Sequence, residues 1–281
     1  MAPPSQVRFY QVDAFTDRPF RGNPAGVFVL DEPLDPRAMQ LLAREINLSE
    51  TAFVAPAEVG GTPEVRWFTP AVEVSLCGHA TLATGHVLIT ELGADPPARF
   101  ASAGGPLEVE LEDGLLSMTV SADPPVIDLP PSGLLRALGC HEAVPVLRAR
   151  QLWVVRLSWQ KEVEALVPNI PRLLDVDPGE GVLGVAVTAP ATEDADFVSR
   201  FFAPWVGVPE DPVTGVAHTA LAPYWAAQLE RSDLRGRQLS AREGMVRVHL
   251  EGERVRLSGR AITVARGTFL VPELDEAAVP F

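Results

Sequence analysis

The sequence predicts an α+β fold made of two similar halves, each a mostly antiparallel sheet curved about a short buried helix. Two observations carry this reading. The order strand, strand, Phe-x-Pro, small polar residue and glycine, then apolar helix occurs twice, once through WFTP and CGHA and once through FFAP and TGVA. The two helices, over residues 80–92 and 217–229, hold Glu91 as their single charged residue. A helix that is apolar on every side is buried on every side.

The elements follow in order. VRFYQVDAF alternates apolar and polar residues as a half-buried strand does. Turn residues Gly22, Asn23 and Pro24 then lead into a strand over 27–30. In LDPRAMQLLAREIN, Asp35 can cap and Pro36 suits the first helical position, so a helix should run to about Asn47. SETAFVAP and EVRWFTP read as strands, and LEVELEDGLLSMTV as a hairpin about Asp113-Gly114. ADPPVIDLPPSG is the candidate linker. It divides the chain into halves 1–122 and 123–281, and the last strand, about 269–281, can pack back on the first half. Strands in LWVVRL, GVLGVAVTAP and FVSRFFAP precede the second apolar helix. MVRVHLEG, RVRLSG and ITVARGTFLV close the chain as strands.

Composition removes several function classes. The chain has 281 residues, 47% of them hydrophobic, enough for two cores. A net charge of −14 argues against nucleic acid and anionic membranes as partners. No run approaches the ~20 apolar residues of a membrane helix, and MAPPSQVRFYQV lacks the pattern of a signal peptide. Two cysteines, Cys77 and Cys140, make no disulfide framework, so a cytoplasmic protein is expected. Lys161 is the only lysine and lies in QKEVEAL, which reads as a solvated helix. Schiff-base chemistry on a buried lysine is therefore disfavoured. GxxxxGK[ST], GxSxG and HExxH are all missing.

Chemistry concentrates at the two helix starts. A helix N-terminus presents unpaired amides and roughly half a positive charge. Gly78 and Gly215 would let an anion approach those amides, a local trap within an acidic protein. Cys77 can serve as a base or nucleophile at such a start, or simply as a small buried hydrophobe. The spacing of Cys77, His79 and His86 fits no standard zinc pattern, and no metal is expected. Glu45 lies four residues after Leu41 and three after Leu42, which places it on the apolar stripe of its helix. An inward carboxylate there would suit general acid/base work; a solvated glutamate at the helix rim is the alternative.

The stretches DAFTDRPFRGNPAGV, AREINLSETAFV, WFTPAVEVSLCGHATLATGHVL, EDPVTGVAHTALAPYW and LSGRAITVARGTF closely resemble the PhzF-like family of phenazine-biosynthesis isomerases, which share the diaminopimelate epimerase fold. The resemblance implies two pseudo-symmetric barrel-like halves with the active site in the cleft between them, and a homodimer. It also implies a proton-moving isomerisation of a small anionic metabolite, without metal or organic cofactor. By resemblance, Glu45 matches the proton-shuttling glutamate, while His79 and Asp211 contact the substrate. Asn23, Cys77, Gly78, Thr214, Gly215 and Val216 are the expected substrate-binding positions. Thr214 stands where two-thiol racemases of this fold carry a second cysteine, which disfavours symmetric two-base chemistry. Val216 replaces the serine of the family's D-P-x-T-G-S-A pattern. The expected activity is thus a cofactor-independent isomerase. An epimerase using Cys77, or a silent metabolite-binding protein, is the alternative.

Overall fold

A computed structural model describes residues 5–57, 61–141 and 143–271. The part of the expected last strand beyond residue 271 lies outside the described residues. In chain order the first elements are β1 (Ser5–Ala14), β2 (Asn23–Val29), α1 (Pro36–Ile46), β3 (Glu50–Ala55), β4 (Glu64–Phe68), β5 (Glu73–Val74), α2 (Gly78–His86), β6 (Ala98–Phe100), β7 (Leu107–Glu112) and β8 (Leu115–Ser121). There follow β9 (Val126–Ile127), α3 (Leu134–Leu138), β10 (Val146–Arg148), β11 (Leu152–Arg156), α4 (Gln160–Glu164), α5 (Ile170–Leu174), β12 (Gly184–Pro190) and β13 (Phe197–Ala203). The chain closes with β14 (Val208–Asp211), α6 (Gly215–Leu229), β15 (Asp233–Gln238), β16 (Gly244–Glu251), β17 (Arg254–Gly259) and β18 (Ala261–Val271).

Two compact units result. The first comprises the segments through Phe20, Pro24–Leu116 and from Arg260 onward; the second comprises Arg21–Asn23 and Ser117–Gly259. The first unit's main sheet has the order β18-β1-β2-β3-β4-β5. β18 pairs antiparallel with β1 along nearly its whole length, whereas β2 and β3 pair in parallel. That parallel pair needs a crossover, which α1 supplies. α1 is built as its sequence requires: the Asp35 carboxylate accepts from the Arg37 amide, Pro36 opens the helix, and Asn47 closes it in the left-handed conformation. Its buried face, with Ala38, Met39 and Leu42, packs on Phe9, Phe28, Phe53 and Phe68. Phe28 and Phe53 stack with ring centroids 5.0 Å apart, and Phe68 meets Phe53 edge-on at 5.5 Å.

α2 is the buried helix of this unit, and every residue from His79 to His86 is buried. Its threonines are accommodated by turning back on the helix: Thr81 Oγ1 donates to the Cys77 carbonyl at 2.6 Å and Thr84 Oγ1 to the Ala80 carbonyl at 2.7 Å. The helix widens into a π-helical turn over Val87–Glu91, where the Leu92 amide donates to the Val87 carbonyl. Gly85 is where β7 comes closest. A Cβ there would fall 2.4 Å from Val109 Cγ1, so only glycine fits.

In the second unit the strand order is β8-β17-β16-β15-β13-β12-β11-β10-β9, with β14 paired to β13. β11–β12 and β13–β15 are parallel; β12–β13, β15–β16 and β16–β17 are antiparallel. The proline-rich stretch read as a linker lies inside this unit, where Val126 and Ile127 pair with β10. One face of the sheet packs on α3, α4 and α5 through Leu134, Leu138, Val163, Leu173, Val185 and Phe202. Lys161 on α4 is exposed.

α6 packs against β15, β16 and β17, and its Trp225 stacks on Phe197 of β13 with ring centroids 5.7 Å apart. Pro223 within α6 has no amide hydrogen, which leaves the Thr219 carbonyl without its helical donor. The Asp123 amide fills the vacancy at 3.0 Å. Among the described residues, no helix is long and apolar enough to cross a membrane.

Candidate active site

The first unit gathers a carboxylate, a thiol and an imidazole at the start of α2. Cys77, in extended conformation, precedes the helix, and no side chain caps that helix start. His79, in the first turn, is 4% exposed. Its Nδ1 lies 3.5 Å from Cys77 Sγ, and its Nε2 lies 3.4 Å from both Glu50 Oε2 and Ser49 Oγ. Glu50 is the first residue of β3, and its side chain retains 20% exposure. Burial pushes its pKa up; hydrogen bonds with Ser49 and Cys77 act in the opposite direction. A carboxylate so placed is held by neighbouring donors and retains a path to solvent.

Glu45, expected to point inward, is exposed. At 100° per residue it lies about 90° from the centre of the face formed by Ala38, Met39, Leu42, Ala43 and Ile46, which makes it a rim position. Counting the half-buried Leu41 as core had turned the expected stripe toward it. The carboxylate that stands beside His79 and Cys77 is Glu50, five residues on in the same REINLSE stretch. Its sequence signal is a glutamate opening a strand whose next four residues are all buried.

The second unit carries its own polar group before α6. Asp211 Oδ1 accepts from Asn23 Nδ2 at 2.9 Å, and Asp211 Oδ2 accepts from Thr214 Oγ1 at 2.5 Å. Asn23 is fully buried and donates also to the Val213 carbonyl. Gln238, equally buried, was not singled out by the sequence. Its Oε1 accepts from the Thr214 amide at 3.0 Å, and its Nε2 donates to the Asp211 carbonyl at 2.7 Å and to Thr214 Oγ1 at 3.1 Å. The hydroxyl of Thr214 therefore serves Asp211 and does not cap α6, whose start at Gly215 has no side-chain cap. Val216, one residue into the helix, is partly exposed. One turn on, His218 is wholly buried with Nδ1 2.8 Å from the Thr214 carbonyl, and burial pulls its pKa down to about 4.

The fold has known relatives. It is shared with a hydroxyproline epimerase from Agrobacterium vitis, at a TM-score of 0.60 and 13% identity over 94% of this chain and 92% of the other. A phenazine biosynthesis protein of the PhzF family from Enterococcus faecalis superposes with a TM-score of 0.89 at 36% identity, covering 95% of this chain and all of the other. An uncharacterized isomerase of Pseudomonas aeruginosa is 49% identical over 264 residues, 94% of this chain and 98% of its own. The model of the phenazine biosynthesis-like (PhzC-PhzF) proteins matches residues 12–267. The chain belongs to that family.

Proposed function

We propose that the protein is an isomerase that moves a proton on a small carboxylated, unsaturated metabolite, with Glu50 as general acid and base. The observation that carries this reading is the placement of Glu50. It is a partly buried carboxylate with a raised pKa beside His79 and Cys77 at the start of α2. Burial makes Glu50 hold a proton more readily than a solvated glutamate, which suits a group that takes and returns one, and a positioned acid/base group contributes typically ~10²–10⁴-fold. Family relatives named as isomerases support the same class of reaction. The reading departs from the sequence expectation only in moving the proton carrier from Glu45 to Glu50.

In this account Glu50 removes a proton from a carbon next to the conjugated system. The charge that develops on the substrate's oxygen is stabilised by amides at the start of α2, from Gly78 onward. His79 orients Glu50 and the bound substrate. In the second unit, Asp211 with Asn23 and Thr214 forms a polar substrate-binding group at the start of α6, beside Gly215 and Val216. Schiff-base chemistry has no part in this reading, since the only lysine is exposed on α4. The protein acts in the cytoplasm as a homodimer.

A second reading makes the Cys77 thiol the proton carrier, because Sγ lies 3.5 Å from His79 Nδ1. Turnover of small unsaturated carboxylic acids by Glu50→Gln, Cys77→Ser and Glu45→Gln separates the two. The glutamate reading expects Glu50→Gln to lose at least a hundredfold while Cys77→Ser and Glu45→Gln keep substantial activity. Loss in Cys77→Ser with retention in Glu50→Gln would overturn it in favour of the thiol.

A further inference from the structure

The same three side chains have a second property, which depends on their donor atoms and not on any proton transfer. Glu50, Cys77 and His79 each offer one ligand atom, and these atoms all lie within 4.8 Å of one another. Zinc holds sulfur at ~2.3 Å, imidazole nitrogen at ~2.0 Å and carboxylate oxygen at ~2.0–2.2 Å in a tetrahedron, which sets donor atoms roughly 3.3–3.7 Å apart. His79 Nε2 and Glu50 Oε2 are already 3.4 Å apart. Cys77 Sγ lies 3.5 Å from the other ring nitrogen, Nδ1, so joining an ion at Nε2 asks the thiol to turn about its side-chain torsion.

The chemistry of the set selects the ion. Thiolate, imidazole and one carboxylate suit a borderline-soft divalent metal, whereas magnesium and calcium prefer six or more oxygen ligands. A thiolate and a carboxylate together neutralise a divalent charge, which eases its entry into a site where Cys77 and His79 are buried. Gly78 puts no side chain between the two α2 ligands, and the exposed fraction of Glu50 leaves a fourth position for water. Three protein ligands with one open position is the arrangement of an accessible zinc site rather than a closed structural one.

We propose that Glu50, Cys77 and His79 form a reversible site for Zn²⁺ that silences the protein when filled. Binding follows from the donor set alone; the silencing rests on the assignment of Glu50 under Proposed function, because the ion occupies the carboxylate oxygen that would carry the proton. Zinc thus acts on this chain as an inhibitor, and thiol, histidine and glutamate bind it together.

The test is calorimetric titration of the metal-stripped, full-length protein with Zn²⁺, repeated with Co²⁺ as a spectroscopic probe. One equivalent of zinc should bind the wild type, and Cys77→Ala and His79→Ala should each weaken binding at least tenfold. Cys140→Ser should bind as the wild type does. The cobalt adduct should show a thiolate-to-metal charge-transfer band that Cys77→Ala lacks, and circular dichroism of each variant should match the wild type. Absence of one-equivalent binding, affinity unchanged in both variants, or a cobalt spectrum without the thiolate band would each overturn the proposal. Zinc binding alongside an active Glu50→Gln in the turnover assay above would refute the functional assignment and leave the metal site standing, whereas undiminished turnover by the zinc-loaded wild type would overturn the silencing.

Discussion

His218 ties the stability of the second unit to pH in a calculable way. Its Nδ1 donates to the Thr214 carbonyl, and Nε2 has no hydrogen-bond partner in a wholly buried position. A proton on Nε2 would be a buried charge facing Phe197. The folded pKa is about 4, against an ordinary value of 6.5. Above pH 6.5 both folded and unfolded chains are neutral at this residue, so it makes no pH-dependent contribution. As pH falls below 6.5 the unfolded chain binds a proton that the folded chain refuses, and stability drops until the folded pKa near 4 is reached. Roughly 2.5 pH units at 1.36 kcal/mol each give a loss of ~3 kcal/mol. Urea denaturation of the wild type and of His218→Gln between pH 7 and pH 4.5 measures it, and subtracting the two curves cancels the other titrating groups. The wild type should lose ~1.4 kcal/mol per pH unit more than the variant at the steep part of that range. Parallel curves would refute the reasoning.

Three further outcomes follow from packing and hydrogen bonding. Gly85→Ala should destabilise by about 1–3 kcal/mol through its clash with Val109, and Val109→Ala in the same chain should recover part of that loss, as read by chemical denaturation. Gln238→Ala should cost about 2–4 kcal/mol, because it strands the Thr214 amide and the Asp211 carbonyl, and the loss should appear in the same denaturation midpoint. Val216→Ser should strengthen binding of ligands with a polar atom at that point by on the order of 1 kcal/mol and weaken those that are apolar there, measured by thermal shift across small carboxylic acids.

The sequence made some elements legible and left others hidden, for physical reasons. α1 was readable from both ends because Asp35, Pro36 and Asn47 are local signals that act within one turn. The hairpin about Asp113-Gly114 was readable too, since both residues take the positive φ that such turns demand. α2 and α6 announced themselves by lack of charge, but the π-helical turn and the rescue of the Thr219 carbonyl by Asp123 depend on distant partners. Cys77 and His79 stood out because they open a helix start of distinctive composition, whereas Asp211 and Asn23 entered as expected substrate contacts only through the family resemblance. Glu45 was singled out because helical periodicity is an easy signal, whereas Glu50, one charged residue at a strand's edge, went unremarked. Only the register of β3 against its neighbours carries Glu50 to His79, and that pairing is not local in sequence. Gln238 was invisible for the same reason: it ends a strand 24 residues beyond the Thr214 amide that it holds.

The central claim is that Glu50 carries the proton, and isotope exchange tests it most directly. Incubating the protein in D₂O with small unsaturated carboxylic acids and following the substrate's C–H signals by proton NMR reads proton transfer without requiring net conversion. The account predicts deuterium incorporation by the wild type and by Glu45→Gln, and a loss of at least a hundredfold in Glu50→Gln, with ligand binding retained. Exchange by Glu50→Gln at the wild-type rate would contradict it.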